Sequence, residues 1–381
     1  MGRKRIGLFY HPSKGWIGGA YYIQNIVFAL NACEDSRKPV IVIYCYIKSD
    51  FEEIKRLTHY PYLECKICNS ETKWQNIVRR VLKFFARNKK KYDIRTIPSI
   101  FDRVKFVYPF TEDDEYIDWN RSLAWIPDLQ ERFLPNFFSQ EEIDKRYRYY
   151  SKLVKYRLPV VLSSQAAKDD YTSLIPESAN LRLYVLPFAV THPDYSNEEI
   201  GKIKEKYGIN KPYFFCANQF WQHKNHLFLF KAFIEAKKRG LDVQLVCSGN
   251  LKDDRDEAYP SSVVRFLREN NLDNDIIITG FISRTEQLCL MKNSLAVVQP
   301  SLFEGWSTVV EDAKCMGKFI YLSNLKVHIE QKPDAVCYFD PLNLGDLVSK
   351  LLEVEPKDVA SHYYKNIQDF GNRFVRIIEE Y

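Results

Sequence analysis

Residues 299–311 place a carboxylate, a glycine and two hydroxyl side chains where an apolar run gives way to a helical pattern. Glu304 and Gly305 lie in the loop, and Ser307 or Thr308 begins the helix. Amides in the first turn of a helix, together with the helix dipole, bind a diphosphate without further groups. Gly305 lets a ligand approach the backbone closely. The segment therefore predicts an anion site with Glu304 beside it.

Glu311 lies one turn into the same helix, and two roles are open to it. It can face the ligand of the loop together with Glu304, each carboxylate accepting hydrogen bonds from hydroxyl groups. Thr308 and Glu311 are also spaced as a capping box, in which the glutamate accepts from a backbone amide and needs no ligand. The sequence alone favours neither role.

A second junction, residues 217–226, carries a lysine where a helix is expected to begin. A cation at Lys224 opposes the helix dipole. An anionic phosphate is the natural partner for such a lysine, and a solvated surface lysine is the alternative. A third junction holds Gly18 and Gly19 in the first strand-to-helix loop, where a plain tight turn explains the pair. Neither a GxGxxG nor a GxxxxGK(S/T) pattern is present.

The elements that position these residues alternate between strands and helices in both halves of the chain. In the first half, the apolar runs 5–10 and 38–45 flank a helical pattern over 20–30. In the second half, predicted strands at 243–248, 276–280, 295–299 and 318–322 alternate with predicted helices at 224–239, 260–270, 284–292 and 307–316. Each half therefore predicts a doubly wound α/β domain, in which ligands bind at the carboxyl ends of parallel strands.

Length and charge disfavour several classes of protein. A chain of 381 residues is too long for one typical core and predicts two domains. The net charge of +6 is mild, and all of the excess lies in residues 1–200. Nucleic-acid binding is therefore not expected, and contact with an anionic membrane or an anionic lipid-linked substrate fits better. The most basic predicted helix, 74–92, is either a surface helix packed on its own domain or an interfacial anchor.

Cysteine usage and hydropathy indicate the cytoplasm. The nine cysteines are odd in number and lie mostly in apolar runs, as small buried hydrophobic residues do. Cys65 and Cys68 form a lone CxxC without a second pair, so neither zinc nor redox chemistry is expected there. No apolar run approaches the roughly 20 residues of a membrane span, and no signal peptide is recognised. We expect a cytoplasmic protein that can also lie on the inner face of the membrane.

Together, the motifs resemble those of family 4 (group 1) glycosyltransferases of the two-domain GT-B type. The segment EGWSTVVE, Glu304–Glu311, resembles the family's Glu-x7-Glu signature, although six residues and not seven separate its two glutamates. Residues 218–226 resemble the family's phosphate-binding lysine loop. Residues 15–19 and 125–130 resemble further motifs of the group, and residues 50–120 match none of them.

The resemblance implies a fold and an arrangement of domains. The implied fold is α/β GT-B, with two doubly wound Rossmann-like domains that face a central cleft. Residues 1–190 are expected to form an N-terminal, acceptor-side domain, onto which the helix at 360–381 packs back. Residues 197–358 are expected to form the C-terminal domain that binds the nucleotide sugar.

The resemblance also implies roles for single residues. Lys224 is expected to hold the diphosphate, Glu311 the ribose hydroxyls and Glu304 the donor sugar. The other implied donor contacts are the backbone amides of Gly305, Trp306, Ser307 and Thr308, the nucleobase seat at Phe281 and Ile282, and the Gly18–Gly19 loop against the diphosphate. Asp128 is the candidate polar group near the transferred sugar or the acceptor. The expected catalytic residues are therefore Glu304, Lys224 and Asp128.

One departure from the family pattern concerns Gln219. It lies where many relatives carry an arginine on the diphosphate. Glutamine donates a hydrogen bond but brings no charge. Either another cation substitutes, with His223, His226 and Arg284 as candidates, or donor affinity is lower.

The implied activity is transfer of a sugar from a nucleotide sugar to a glycan or lipid-linked glycan acceptor in surface polysaccharide biosynthesis. Family members retain the anomeric configuration and need no metal. No cofactor is expected, since the nucleotide sugar is a substrate. Two alternatives stay open: a catalytically silent subunit that binds sugar nucleotides, motivated by Gln219, and a GT-B nucleotide-sugar epimerase. The Asp-x-Asp strings at 254–256 and 273–275 follow no strand end and are expected to be solvated loops.

Overall fold

The computed structural model describes residues 2–12, 17–68, 103–110, 121–252, 258–272 and 274–381, and the chain divides into two compact units. Unit 1 comprises Met1–Leu129, Glu141–Ala189 and Tyr364–Tyr381, and unit 2 comprises Gln130–Gln140 and Val190–Tyr363. The predicted basic helix at 74–92 and the Asp-x-Asp string at 254–256 lie outside the described residues, so the expectations for them stay predictions.

Both units alternate strands with helices. The strands are β1 Arg5–Phe9, β2 Val40–Cys45, β3 Leu63–Ile67, β4 Val107–Phe110, β5 Ser122–Ile126, β6 Val160–Leu162, β7 Leu183–Val185, β8 Tyr213–Ala217, β9 Gln244–Ser248, β10 Ile276–Gly280, β11 Ala296–Gln299, β12 Ile320–Ser323 and β13 Val336–Phe339. The α-helices are α1 Ile17–Asn31, α2 Lys48–Thr58, α3 Gln130–Phe133, α4 Gln140–Tyr156, α5 Gln165–Leu174, α6 Ile200–Tyr207, α7 His226–Lys238, α8 Ala258–Glu269, α9 Arg284–Lys292, α10 Thr308–Met316, α11 Lys326–Gln331, α12 Leu344–Glu353 and α13 Tyr364–Glu380.

The sheet of unit 1 has seven strands in the order β3-β2-β1-β4-β5-β6-β7. All of its pairings are parallel, with Gly7 opposite Val42 on β2 and opposite Val107 on β4. Every residue of the interior strand β5 is buried, as expected for a strand covered on both faces. The strand order reverses between β1 and β4, which is the topological switch point of this sheet.

The last helix, α13, packs against α1 within unit 1. The two helices approach closely at Gly371, where a Cβ atom would lie 2.3 Å from the Ala29 carbonyl oxygen. Two cations cap the carboxyl end of α13. Lys105 Nζ donates to the Ile378 carbonyl at 2.7 Å, and Arg182 donates to the Glu380 carbonyl at 3.1 Å. Positive groups at this end are favoured by the helix dipole, so these contacts hold α13 on unit 1.

The sheet of unit 2 has six parallel strands in the order β10-β9-β8-β11-β12-β13. Apolar side chains fill a core on each face. One core includes Phe214 and Leu347, and the other includes Val246 and Val310. The order reverses between β8 and β11, so the loops that follow these two strands flank the switch point.

The doubly wound α/β fold predicted from the alternation of elements is confirmed, with local differences. Helix α2 and strands β3 and β4 were not predicted. Strand β13 was not predicted, because its apolar run, Val336–Phe339, has only four residues and a run that short does not distinguish a strand from other structure. Gly18 and Gly19 lie in the first turn of α1, not in the loop before it. Residues 130–140, predicted within an N-terminal domain at 1–190, group with unit 2, where Phe133 stacks on Phe303 with ring centroids 5.4 Å apart.

Candidate active site

Two polar loops lie at the switch point of unit 2. Strands β8 and β11 are parallel neighbours, with Phe215 opposite Val297. Their carboxyl ends therefore lie at the same edge of the sheet. The loop after β8 carries Lys224, and the loop after β11 carries Glu304. The topology thus brings together two residues that are far apart in the sequence.

Lys224 and Glu304 form an ion pair that is largely shielded from solvent. Lys224 Nζ lies 2.6 Å from Glu304 Oε1, and the side chains are 13% and 9% exposed. The backbone aims the lysine there, since Gln222–Lys224 is a 3₁₀ turn and Asn225 follows in the left-handed conformation that asparagine tolerates, with φ 61°. Asn225 Nδ2 donates to the Pro300 carbonyl at 3.3 Å, which ties the lysine loop to the loop of Glu304.

Two further donors fix the same oxygen of Glu304. Ser301 Oγ donates to Oε1 at 2.7 Å, and Gln299 Nε2 donates to it at 2.9 Å. Gln299 is itself fully buried at the end of β11 and accepts from Asn218 Nδ2 at 2.8 Å. No described residue donates to the other oxygen, Glu304 Oε2. One carboxylate oxygen is therefore open to a ligand.

The charge state of the pair follows from opposing effects. Burial raises the pKa of Glu304, but the Lys224 ammonium and its hydrogen bond outweigh burial, so the pKa lies below the usual value. The carboxylate is thus ionised at neutral pH. An ammonium group has three N–H donors, and only the contact with Glu304 engages Lys224 among the described residues. The remaining N–H groups can donate to an anion.

His328 is a buried neighbour of this pair. Its Nδ1 lies 2.8 Å from the Ser323 carbonyl oxygen, which can only accept, so Nδ1 carries the proton. Burial lowers the pKa of His328 to about 4, although the Glu304 carboxylate acts in the opposite direction. The ring is therefore neutral at pH 7, and Nε2 has no hydrogen-bond partner among the described residues.

The start of α10 supplies backbone donors beside Glu304. The helix begins at Thr308, and the amides of Gly305 and Thr308 donate to no described residue. The Ser307 amide, which was expected to contact the ligand, instead donates to Gln331 Oε1 at 3.2 Å. Trp306 is half-buried in the same loop. Of the predicted backbone donors, those of Gly305 and Thr308 are therefore available to a ligand.

Glu311 is enclosed by side chains of unit 2. It is 1% exposed, and its Oε1 accepts from Gln331 Nε2 at 2.9 Å and from Lys314 Nζ at 3.0 Å. Its Oε2 accepts from the Tyr363 hydroxyl. The capping box is not formed, because side chains and not a backbone amide occupy the carboxylate. Both oxygens are thus hydrogen-bonded within unit 2, and the expected contact of Glu311 with ribose hydroxyls stays a prediction.

Asp312 was not predicted as a site residue. Seven residues separate it from Glu304, which is the spacing of the Glu-x7-Glu signature. Arg284 donates to both of its oxygens, and His192 Nε2 lies 3.0 Å from Oδ1. Burial raises the pKa of Asp312, but Arg284 and His192 outweigh burial and lower the pKa below its usual value. Arg284, a candidate substitute for the arginine missing at Gln219, is thus engaged inside unit 2.

The remaining predicted donor residues of unit 2 differ in exposure. Phe281 is 62% exposed directly after β10, whereas Ile282 packs against a core. Gln219 Oε1 accepts from the Asn250 amide at 2.8 Å, which leaves the NH2 group of Gln219 as a neutral donor. His226 is fully buried and stacked on an aromatic ring, so it is not an accessible cation.

Asp128 and the Gly18–Gly19 pair belong to unit 1. Asp128 is half-buried and follows the carboxyl end of β5, and the two glycines open α1. Their expected roles at the acceptor and the diphosphate stay predictions.

Gln299, Ser301 and Tyr363 organise the site and were not predicted. A buried polar side chain needs a hydrogen-bond partner, so Gln299 at the end of an apolar strand was a usable signal. Tyr363 offers no such signal, because 52 residues separate it from Glu311.

Metal ligands and membrane spans were sought in the ranges that the structure describes. There, no group of three or more His, Cys, Asp or Glu side chains is arranged to hold a metal ion. No helix in those ranges combines the length and the hydropathy that crossing a membrane requires. The expectation of chemistry without a metal stays a prediction.

The model of the family "Glycosyl transferases group 1" matches residues 199–366, most of unit 2. EpsF of Bacillus subtilis (strain 168), which carries a glycosyltransferase name, is 32% identical over 141 residues, which are 37% of this chain and 32% of EpsF. The match thus spans about a third of the length of that curated relative. The match of residues 199–366 to the group 1 glycosyltransferase model confirms the family resemblance of the motifs.

Solved structures share the whole fold at low sequence identity. A glycosyltransferase from Rickettsia africae ESF-5 has a TM-score of 0.60 at 15% identity, covering 100% of this chain and 98% of that chain. HepE of Anabaena, in complex with UDP and glucose, has a TM-score of 0.59 at 14% identity, covering 100% and 95%. WaaG, a glycosyltransferase involved in lipopolysaccharide biosynthesis, has a TM-score of 0.56 at 11% identity, covering 99% and 95%. These similarities show the fold, which is GT-B.

Proposed function

We propose that this protein transfers a sugar from a nucleotide sugar to a glycan or lipid-linked glycan, with retention of the anomeric configuration. The observation that carries the proposal is the Lys224–Glu304 pair at the switch point of a group 1 glycosyltransferase domain. The pair offers ammonium N–H groups and one carboxylate oxygen to a ligand. These groups complement the phosphates and the hydroxyls of a nucleotide sugar.

The diphosphate of the donor is proposed to bind between Lys224 and the start of α10. Lys224 donates to phosphate oxygens while one of its N–H groups stays on Glu304, and the amides of Gly305 and Thr308 add neutral donors. Negative charge grows on the diphosphate as its bond to the anomeric carbon breaks. Donors that are already in place stabilise that charge in the transition state.

The donor sugar is proposed to contact Glu304. Three donors hold Oε1, so Oε2 has a fixed position and accepts from a sugar hydroxyl. The ionised carboxylate also stabilises positive charge that develops on the sugar. In the proposed front-face reaction, the acceptor hydroxyl forms the new bond on the side of the departing diphosphate, and its proton passes to a diphosphate oxygen.

The other donor and acceptor contacts are proposed from exposure and position. The exposed ring of Phe281 is a stacking surface for the nucleobase. The NH2 group of Gln219 is a neutral donor to the diphosphate, so we expect weaker donor binding than an arginine would give. Within unit 1, Asp128 is proposed to act on the acceptor and the Gly18–Gly19 turn to bind phosphate.

The acceptor is proposed to be a lipid-linked glycan of a surface polysaccharide, and the proposed location is the inner face of the membrane. The net charge of +6, all of it in residues 1–200, supports contact with an anionic membrane or an anionic acceptor.

The test is turnover of a nucleotide sugar by the purified chain. UDP-glucose, GDP-mannose and dTDP-rhamnose are each incubated with and without a lipid-linked oligosaccharide extract, and release of the nucleoside diphosphate is measured. We expect release that depends on the extract for one donor. Replacing Glu304 by Gln removes the charge at the sugar, and we expect it to lower the rate roughly 10²–10³-fold.

The control is Glu353→Gln, an equal loss of charge at an exposed position on α12, which should keep the wild-type rate. Nucleotide binding without turnover in any mixture would contradict the proposal and favour the silent subunit. Conversion of the donor without an acceptor, insensitive to the extract, would favour the epimerase.

A further inference from the structure

The side chain of Tyr363 connects α10, through hydrogen bonds, to two of the positions at which the chain passes from one unit to the other. These crossings fall between Ala189 and Val190 and between Tyr363 and Tyr364. The Tyr363 hydroxyl accepts from the Val190 amide at 3.0 Å and donates to the carboxylate of Glu311. A single hydroxyl therefore connects both crossings to the first turn of the helix that begins beside Glu304.

The connection continues from Glu311 to the start of α10. Gln331 Nε2 donates to Glu311 Oε1 at 2.9 Å and to the Ser307 carbonyl at 3.0 Å. Gln331 Oε1 accepts from the Ser307 amide at 3.2 Å. Ser307 precedes the first helical residue, Thr308, so Tyr363 is linked through Glu311 and Gln331 to the turn that carries the Thr308 amide.

Every member of this chain of contacts is buried. Tyr363 is 7% exposed, Gln331 is 2% exposed and Glu311 is 1% exposed. A buried carboxylate is costly unless hydrogen bonds compensate it, and apolar side chains would fill the same space without that cost. The hydrogen bonds therefore compensate the buried carboxylate and hold these side chains in one orientation.

The neighbouring residue adds a second connection of the same kind. Asp312 accepts from Arg284, and His192, two residues beyond the crossing at Val190, lies 3.0 Å from its Oδ1. Residues 190–192 are thus joined to α10 through both of its acidic residues, Glu311 and Asp312.

We propose that Tyr363 is a positioning residue for the donor: acting through Glu311 and Gln331, it fixes the Ser307–Thr308 turn that receives the diphosphate. The role rests on the proposed function, because it takes that turn as the diphosphate site. Tyr363 itself contacts none of the groups proposed to bind the diphosphate. Its loss should weaken diphosphate binding and leave the chemical step largely intact.

The test compares Tyr363→Phe with Tyr321→Phe as a matched control. Tyr321 is also buried in unit 2, and its hydroxyl donates to the Val354 carbonyl at 2.6 Å, so both variants lose one buried hydroxyl. Tyr363→Phe loses the hydrogen bonds to Val190 and Glu311, and Tyr321→Phe loses the one to Val354. Dissociation constants of UDP, GDP and dTDP are measured by calorimetry, and donor KM and kcat by turnover. For Tyr363→Phe we expect an about tenfold higher dissociation constant and donor KM, with kcat within about threefold of wild type. For Tyr321→Phe we expect values within about twofold of wild type.

A second variant keeps the proposal testable if Tyr363→Phe does not fold. Gln331→Met breaks the link between Glu311 and Ser307 and leaves the hydroxyl of Tyr363 on Glu311. We expect it to weaken diphosphate binding to a similar extent, and the double variant to add little, because both changes interrupt one path.

The possible failures are distinguishable. If the wild type binds a nucleoside diphosphate and Tyr363→Phe and Gln331→Met bind it as tightly as Tyr321→Phe does, the role of Tyr363 is wrong and the proposed function stands. If the wild type binds no nucleoside diphosphate, the proposed function is wrong and the role of Tyr363 falls with it.

Discussion

At the scale of single residues, the site depends on which oxygen of Glu304 is occupied. Lys224, Ser301 and Gln299 all donate to Oε1, so a ligand can use Oε2 without displacing any of them. The ion pair also leaves the ammonium group of Lys224 with further N–H donors for a ligand. The ion pair can therefore persist when a donor binds, with Lys224 bridging carboxylate and phosphate.

His328 gives unit 2 a pH-dependent stability. Its pKa of about 4 lies below the ordinary 6.5, so the unfolded chain binds more protons than the folded chain between these values. The stabilisation is fully present above pH 6.5 and is lost as the pH falls towards 4. In His328→Asn, the asparagine can still donate to the Ser323 carbonyl but does not titrate. Between pH 6.5 and pH 4, we expect the unfolding free energy of the variant to fall by roughly 1–3 kcal/mol less than that of the wild type.

Urea unfolding of the wild type and the variant across this pH window measures the effect. The control is His362→Asn at an exposed position, which should keep the wild-type pH profile. Identical profiles for His328→Asn and wild type would show that the buried ring is not the titrating group.

The sequence predicted the residues at strand ends better than the partners of those residues. Lys224 and Glu304 were recognised because each follows a strand that points to the same edge of a parallel sheet. The state of Glu311 could not be predicted in this way. Its oxygens are occupied by Gln331 and Tyr363, which come from other elements and are brought together only by tertiary packing.

At the scale of elements, the end of α10 is as constrained as its start. The helix ends at Gly317, which has φ 65°, and a Cβ atom there would lie 2.0 Å from the Val359 carbonyl oxygen. The backbone of Val359 also donates to the Gly317 carbonyl at 2.8 Å. The segment that leads back towards α13 therefore passes directly against the end of α10, and only a glycine fits between them.

We expect Gly317→Ala to lower the unfolding free energy by roughly 2 kcal/mol or more, through the left-handed backbone and the steric contact together. Gly201→Ala is the matched control, because Gly201 lies in α6 and a Cβ atom there meets nothing within 4 Å. That change should be neutral or stabilise by up to about 1 kcal/mol. Equal urea midpoints for the two variants would contradict the steric account.

The elements of unit 2 were predictable because each carries its own periodic pattern. The predicted strand at 276–280 and helix at 284–292 have the observed bounds, Ile276–Gly280 and Arg284–Lys292. Edge strand β13 was missed because its four apolar residues, Val336–Phe339, are too few to show a period. The turn at Gln222–Lys224 also falls outside any periodic pattern, although it sets the direction of the lysine.

At the scale of the whole molecule, the chain contributes to each unit from separate segments. Unit 1 takes its last helix from the C-terminal end, and unit 2 takes residues 130–140 from within the first half. The stacking of Phe133 on Phe303 joins residues that no local pattern relates. Alternation of strands and helices predicts two sheets, but it cannot predict such exchanges of segments.

The central claim is that Lys224, with the start of α10, holds the diphosphate of a sugar nucleotide. The most direct measurement is the dissociation constant of UDP, GDP and dTDP for wild type, Lys224→Gln and Lys231→Gln, the last being an exposed lysine of α7 as control. We predict that one nucleotide binds the wild type and Lys231→Gln equally, and that Lys224→Gln binds it roughly 10–100-fold more weakly. No binding by the wild type, or equal affinities for the two variants, would contradict the account.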